Sequence, residues 1–258
     1  MSETRPVVVK IGGNALAGGA LDDLSGLLAA EPPTTTVALV HGGGKQLTRM
    51  LEALHIPTEF RDGLRVTDDA TMVVAEMVFA GEVNKALVRE LYALGIPAVG
   101  VSGTDGPTLL VEPIPGLGRV GNVTRVDSHL VETLWSGGFV PVVAPVGLGP
   151  EGAYNVNADS AAAALAVGLG AAHLFFLTDV DGLLMDGRAV EALAPEECEG
   201  YVEEGLAVGG MVPKLRAAAE AARGGVEARI VNGNKKGSLA GAMAGERIGT
   251  LISEGVAA

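Results

Sequence analysis

Two lysines, an arginine and an aspartate occupy positions where a charge costs free energy unless chemistry uses it. Lys10 ends the unbroken apolar run "VVV" and is followed by Gly12 and Gly13. Glycines there let backbone N–H groups approach an anion while the lysine adds a compact positive charge, which is phosphate-binding chemistry; a tight turn with a solvent lysine fits the same letters. Gly42, Gly43 and Gly44 follow the run "TVALVH" and precede a helical pattern, so they expose the unbonded N–H donors of a helix start to an anion. Ordering three glycines costs about 1 kcal/mol each relative to alanine, which favours close backbone approach to a ligand over an ordinary turn. Asp159 opens an alanine-rich helical stretch in "AYNVNADSAAAAL", behind Asn155 and Asn157. It serves either as the helix N-cap or, with the two amides, as part of a polar site. Lys214 lies near a helix start in "VGGMVPKLRAA", where a cation is unfavourable unless an anion is close. Arg65, in "RDGLRVTD", is placed to fork onto a substrate carboxylate or else to point into solvent.

Common motifs do not absorb these residues. The P-loop pattern fails in "LVHGGGKQ", because Leu39 stands where the first glycine belongs and Gln46 where the hydroxyl belongs. A literal G-x-G-x-x-G occurs as "GLGRVG", Gly116 to Gly121, but it follows "EPIP" and precedes "NVTRV" instead of joining a strand to a helix. Ser102 lacks nucleophile-elbow spacing, and His41, His55, His129 and His173 show no metal-binding interval, so no protein metal ligands are assigned.

The elements that must position these groups follow from the hydrophobic pattern. Apolar runs at 6 to 10, 36 to 41, 97 to 102, 140 to 145, 173 to 178 and 227 to 232 are continuous, as strands buried on both faces require. Helical stretches alternate with them: 20 to 30, 45 to 55, one long pattern at 68 to 95, and 212 to 223. The alternation predicts an α/β fold, an open and mostly parallel β-sheet sandwiched between helices in three layers. Residues 108 to 126 break the rhythm and read as a hairpin at the sheet edge. The chain of 258 residues fits a single domain of two joined lobes, and 48% hydrophobic residues supply a large core. A net charge of −13 disfavours nucleic-acid and membrane partners. Cys198 is the only cysteine, so no intramolecular disulfide forms, and the start "MSETRPVVV" lacks a signal-peptide core, which makes the cytoplasm the expected compartment.

Six motifs in order, "VVKIGGNAL", "LVHGGGKQ", "DGLRVTD", "YNVNADSAA", "LTDVDGLL" and "GGMVPKL", resemble the amino-acid kinase superfamily, and within it the N-acetylglutamate kinase family, over about residues 6 to 252. The resemblance implies the amino-acid kinase fold and transfer of a phosphoryl group from ATP, with Mg²⁺, to the γ-carboxylate of N-acetyl-L-glutamate in arginine biosynthesis. By the same resemblance, Lys10 and Lys214 stabilise the phosphoryl group in flight and Asp159 holds the lysines. Gly43 and Gly44 donate hydrogen bonds near the substrate, Arg65 grips the α-carboxylate, and Asn155 contacts the substrate. Gly12 and Gly13, with Asp179, Gly182, Leu183, Gly209 and Gly210, are then expected around the nucleotide. Residues 1–175 are expected to form the acyl-substrate and dimerisation lobe and 176–258 the ATP lobe.

The resemblance further implies a homodimer. Because only a short segment precedes the first strand and "NGNKKGSLAGAMAGERIGTLIS" lacks a His- and acid-containing pattern, arginine insensitivity is expected. A carrier-protein-linked α-aminoadipate kinase of lysine biosynthesis shares the superfamily's chemistry. Asp62, Asp68 and Asp69 beside Arg61 and Arg65 favour a small free substrate over an acidic carrier. A non-catalytic nucleotide-binding module is the reading from another class; the joint presence of Lys10, Asp159 and Lys214 argues against it. A nicotinamide oxidoreductase rests on "GLGRVG" alone.

Overall fold

All six apolar runs form strands of one sheet in the computed structural model, which describes residues 5–12, 19–28 and 35–256. They are β1 (Val7–Ile11), β2 (Val37–His41), β5 (Ala98–Ser102), β8 (Val140–Ala144), β11 (His173–Thr178) and β15 (Glu227–Asn232). Short strands β14 (Ala192–Leu193) and β16 (Thr250–Ile252) extend one edge, giving the order β14-β16-β15-β11-β1-β2-β8-β5. Every pairing within it is parallel except β15 with β16.

Side-chain alternation divides the sheet between two apolar layers. Val7, Val9 and Ile11 of β1 pack with α1 (Ala20–Leu28), α4 (Asn84–Ala93) and α9 (Ser238–Met243). Val8 faces the opposite layer, built on α5 (His129–Ser136), α6 (Ala158–Gly168), α7 (Glu197–Glu203) and α8 (Met211–Arg223). The alanines of α6 and α8 allow these helices to lie close to the sheet and to each other. Cys198, on α7, is buried in this layer, and burial pushes its thiol up to about 11.

Asp23 of α1 supplies an end cap to a helix far along the chain. Its carboxylate accepts hydrogen bonds from the backbone N–H of Gly237 (2.9 Å), Leu239 (3.1 Å) and Ala240 (3.4 Å), at the start of α9. No side chain of α9's own N-cap residue, Gly237, is available for this, so the aspartate satisfies donors that would otherwise be orphaned.

Two expectations need correction. Residues 108 to 126 do form a hairpin, β6 (Leu109–Pro113) and β7 (Gly121–Val126). It belongs to a separate four-stranded sheet, order β10-β9-β6-β7, with β9 (Val146–Gly149) and β10 (Gly152–Asn155), and not to an edge of the main sheet. The pattern at 68 to 95 is not one α-helix: α3 (Asp69–Glu76) passes into π-helical turns over Met77–Val83 before α4. The wider turn directs Phe79 and Val83 at Gly43, where an added Cβ would lie 2.8 Å from the Phe79 ring. Two small hairpins, β3 (Phe60–Arg61) with β4 (Leu64–Arg65) and β12 (Leu184–Met185) with β13 (Arg188–Ala189), flank the sheet's carboxyl end.

Candidate active site

Strand β1 lies at the centre of the sheet, with connections running outward on both sides, and ligands in such sheets collect at the carboxyl end of that switch point. Lys10, next to last on β1, shares the Val8 face and so points toward α6 and α8. There its Nζ lies 2.8 Å from Asp159 Oδ1, while Lys214 Nζ lies 3.3 Å from Asp159 Oδ2. All three side chains are largely withdrawn from solvent, at 6%, 13% and 7% exposure for Lys10, Lys214 and Asp159. Asp159 Oδ1 thus faces the Lys10 ammonium as a close ion pair.

Asp159 is free for this role because Asn157 caps the helix. Asn157 Oδ1 accepts from the N–H groups of Asp159 (2.9 Å) and Ser160 (3.1 Å), which overturns the N-cap alternative for Asp159. Burial raises the pKa of Asp159, but Lys10 and Lys214 more than offset this and hold its carboxyl below the usual range. Burial lowers the pKa of Lys10, with Asp159 opposing and Lys214 adding to the shift. Replacing a buried ion cluster by apolar groups is often neutral or stabilising by about 1–4 kcal/mol. Fold stability therefore gives no reason for this triad, and a reaction involving anions does.

The triad stands where two cavities meet. One, of about 320 Å³, is lined by Gly43, Gly44, Arg65, Asn155, Lys10 and Asp159 among others. The second, of about 470 Å³, is lined by Lys10, Lys214 and Gly12 at one end and by Leu183, Leu206 and Met211 elsewhere. Lys10 and Lys45 line both. Lys45 is the second residue of α2 (Gly44–Ala53) and was singled out by nothing in its motif; only the geometry identifies it.

The first cavity holds its polar groups rigidly. Arg65 is buried at 8% exposure, against the solvent alternative, and burial lowers its pKa. Its guanidinium donates to Thr48 Oγ1 (2.7 Å) and Thr58 Oγ1 (3.2 Å) and sits 4.6 Å from the Phe60 ring centre. The glycine loop is held by His41, at the end of β2. Its Nδ1–H donates to the Gly42 carbonyl at 2.7 Å, which leaves Nε2 to accept from Asn84 Nδ2 at 3.1 Å. Burial, with Lys10 and Lys85 nearby, pushes His41 down to about 4, so its ring is neutral at pH 7.

Around the second cavity, Asp179, Gly182, Leu183 and Gly210 are lining residues. Gly182 must be glycine: its φ is +136° and a Cβ would fall 2.6 Å from Thr250 Oγ1. Gly209 does not line the cavity but turns the chain beside it, with φ +55°. Gly13 lies outside the described residues.

A model of the amino acid kinase family matches residues 5–232. The chain belongs to the amino acid kinase family. It is similar to the acetylglutamate kinase of Rubrobacter xylanophilus, at 68% identity over 97% of this chain and 98% of the relative. The acetylglutamate kinase of Halalkalibacterium halodurans is 42% identical, over 97% of this chain and 96% of its own. Among solved structures, that of smu.665 from Streptococcus mutans UA159 superposes with a TM-score of 0.84 at 27% identity, over 96% of this chain and 98% of that one. As an amino acid kinase the chain needs room for a nucleotide, and the second cavity fits one: cations at one end for phosphates, apolar side chains elsewhere for a base. Among the described residues no group of three or more His, Cys, Asp or Glu side chains could hold a metal ion. No helix among them is long and apolar enough to cross a membrane.

Proposed function

We propose that the chain transfers the γ-phosphoryl group of ATP to the γ-carboxylate of N-acetyl-L-glutamate, forming an acyl phosphate and ADP. A carboxylate oxygen forms a bond to the γ-phosphorus as the bond from phosphorus to the β–γ bridging oxygen breaks, and that electron pair leaves on ADP. The attacking carboxylate is already ionised, so no general base is required; the barrier is repulsion between anions and charge on the phosphoryl group in flight.

The observation that carries this reading is the buried Lys10–Asp159–Lys214 cluster at the junction of an Arg65- and Asn155-lined cavity with a larger, partly apolar one. Lys10 and Lys214 neutralise the transferring group, and Asp159 holds the two ammonium groups apart from each other and aimed at the junction. Gly43 and Gly44 offer N–H donors at the start of α2, and Arg65 pairs with the α-carboxylate while Asn155 contacts the acylamino group. The nucleotide phosphates lie by Gly12, with Asp179, Gly182, Leu183, Gly209 and Gly210 around the base and ribose. Mg²⁺ would neutralise phosphate charge when bound.

The reading extends to organisation. The first cavity is lined by residues from 10 to 159 and the second mainly by residues from 177 to 214, which supports an acyl lobe over 1–175 and a nucleotide lobe over 176–258 of one domain. Val73 and Met77, one turn apart and 54% and 65% exposed, supply apolar surface for a homodimer. We assign the enzyme to the cytoplasm and expect no inhibition by arginine.

A hydroxamate assay for acyl phosphate tests the reaction, with Mg-ATP and N-acetyl-L-glutamate, glutamate, aspartate or carrier-bound aminoadipate. Product confined to N-acetyl-L-glutamate and abolished in Lys10→Ala is expected. Turnover of the carrier-bound acid alone would move the substrate to the lysine-pathway alternative, and silence with all four would overturn the kinase reading. Strong inhibition by millimolar arginine would refute the expected insensitivity.

A further inference from the structure

Thr67 lines neither cavity, yet it joins the backbone of Arg65 to the side chain of Asn155, two residues on which the acyl pocket depends. It is fully buried, and all its polar groups are engaged. Its N–H donates to the Leu117 carbonyl (3.0 Å) and its own carbonyl accepts from Arg119 N–H (2.6 Å). Its hydroxyl donates to the Arg65 carbonyl at 2.8 Å and accepts from Asn155 Nδ2 at 3.1 Å. The hydroxyl has one proton, and a carbonyl oxygen can only accept, so that proton is committed to Arg65. Asn155 must then present its NH₂ to Thr67; the flipped amide would set two acceptors against each other inside the protein. The remaining amide N–H and the carbonyl Oδ1 of Asn155 are thereby given a fixed order.

The segment that pins Thr67 is "GLGRVG", the glycine pattern that here joins strand β6 to strand β7 instead of a strand to a helix. Its tip pairs with Thr67 as an isolated parallel bridge at Gly118, where φ is +68° and a Cβ would lie 2.3 Å from the Thr67 carbonyl oxygen. The same tip reaches the other strand: the Arg119 carbonyl accepts from Asn155 N–H at 2.8 Å. Arg119 anchors the tip by donating to Asp69 Oδ1 (2.7 Å) and to the Glu151 carbonyl (2.7 Å). Backbone and side chain of Asn155 are thus both set by residues outside the cavity.

We infer that Thr67 is a positioning residue that fixes the amide orientation of Asn155 relative to Arg65, and with it recognition of an acylamino acid by the first cavity. The inference rests on the function proposed above for its kinetic consequence and on hydrogen-bond chemistry alone for the geometry.

Thr67→Val keeps the shape and removes the hydroxyl. The KM for N-acetyl-L-glutamate should rise about tenfold, as loss of one aligned hydrogen bond gives, while the KM for ATP holds and kcat falls less than KM rises. Thr67→Ser should restore the KM. An unchanged KM in Thr67→Val, a parallel loss in ATP binding, or failure of serine to rescue would overturn the inference. A second readout is independent of turnover. In the wild-type protein one side-chain amide proton of Asn155, identified by its disappearance in Asn155→Asp, should be protected from solvent exchange, and Thr67→Val should remove that protection. Equal exchange in both proteins would overturn the inference. If N-acetyl-L-glutamate is not turned over, the proposed function fails, and the exchange measurement still decides the role of Thr67.

Discussion

His41 shows how a single buried side chain can make the molecule sensitive to acid. The ring is held neutral by burial, with Lys10 and Lys85 nearby, at a pKa of about 4 against 6.5 in the unfolded chain. Between those values the unfolded state binds a proton that the folded state refuses, so stability falls as pH drops from 6.5 to about 4 and is flat above 6.5. The drop from 6.5 to about 4 corresponds to about 3 kcal/mol. Urea midpoints measured across that window should fall in the wild-type chain and fall less in His41→Gln; parallel curves would show that His41 does not control the slope. Asp159 acts lower down: its folded pKa is depressed, so its contribution is present above the unfolded carboxylate range and disappears only below it.

At the level of elements, the glycine loop and the π-helical segment form one unit. Gly43 is needed because Phe79 lies against its back, which leaves the N–H side of the loop for a ligand. Gly43→Ala should cost about 1–3 kcal/mol through overpacking and raise the KM for the acyl substrate, and Phe79→Leu should recover part of both. A double-mutant cycle in denaturant and in the activity assay with no coupling would refute this pairing. The example marks the border of what the sequence reveals. The central strands were legible because continuous apolar runs are required of strands covered on both faces, and Lys10 and Lys214 stood out because each is a charge in an unfavourable place. The π-helical turns left no separate signature, since one extra residue per turn barely disturbs a helical pattern. The second sheet was hidden because β6 pairs with β9, a short glycine-containing strand, across 30 and more intervening positions. His41 and Thr67 were invisible for a related reason: their partners, Asn84 and Asn155, are distant in sequence, and a histidine or threonine near a glycine loop carries no mark of them.

Over the whole molecule, Asp23 ties the start of the chain to its far end. Asp23→Ala would leave the donors of Gly237, Leu239 and Ala240 unsatisfied, at a cost of about 2–3 kcal/mol. For a chain of this length the melting temperature should drop by about 5–10 °C, with the KM for N-acetyl-L-glutamate little changed because no cavity residue is touched. An unaltered melting temperature would show that water replaces the carboxylate without loss. Burial of Cys198 has a consequence of another kind. A thiol withdrawn from solvent and held at about 11 reacts slowly with alkylating reagents at neutral pH, so a thiol-reactive probe should label the folded chain slowly and the unfolded chain fully. A cysteine introduced at exposed Tyr92 then becomes the one fast-reacting handle on the surface, and the natural sequence can carry a fluorophore or spin label without first being stripped of its own cysteine.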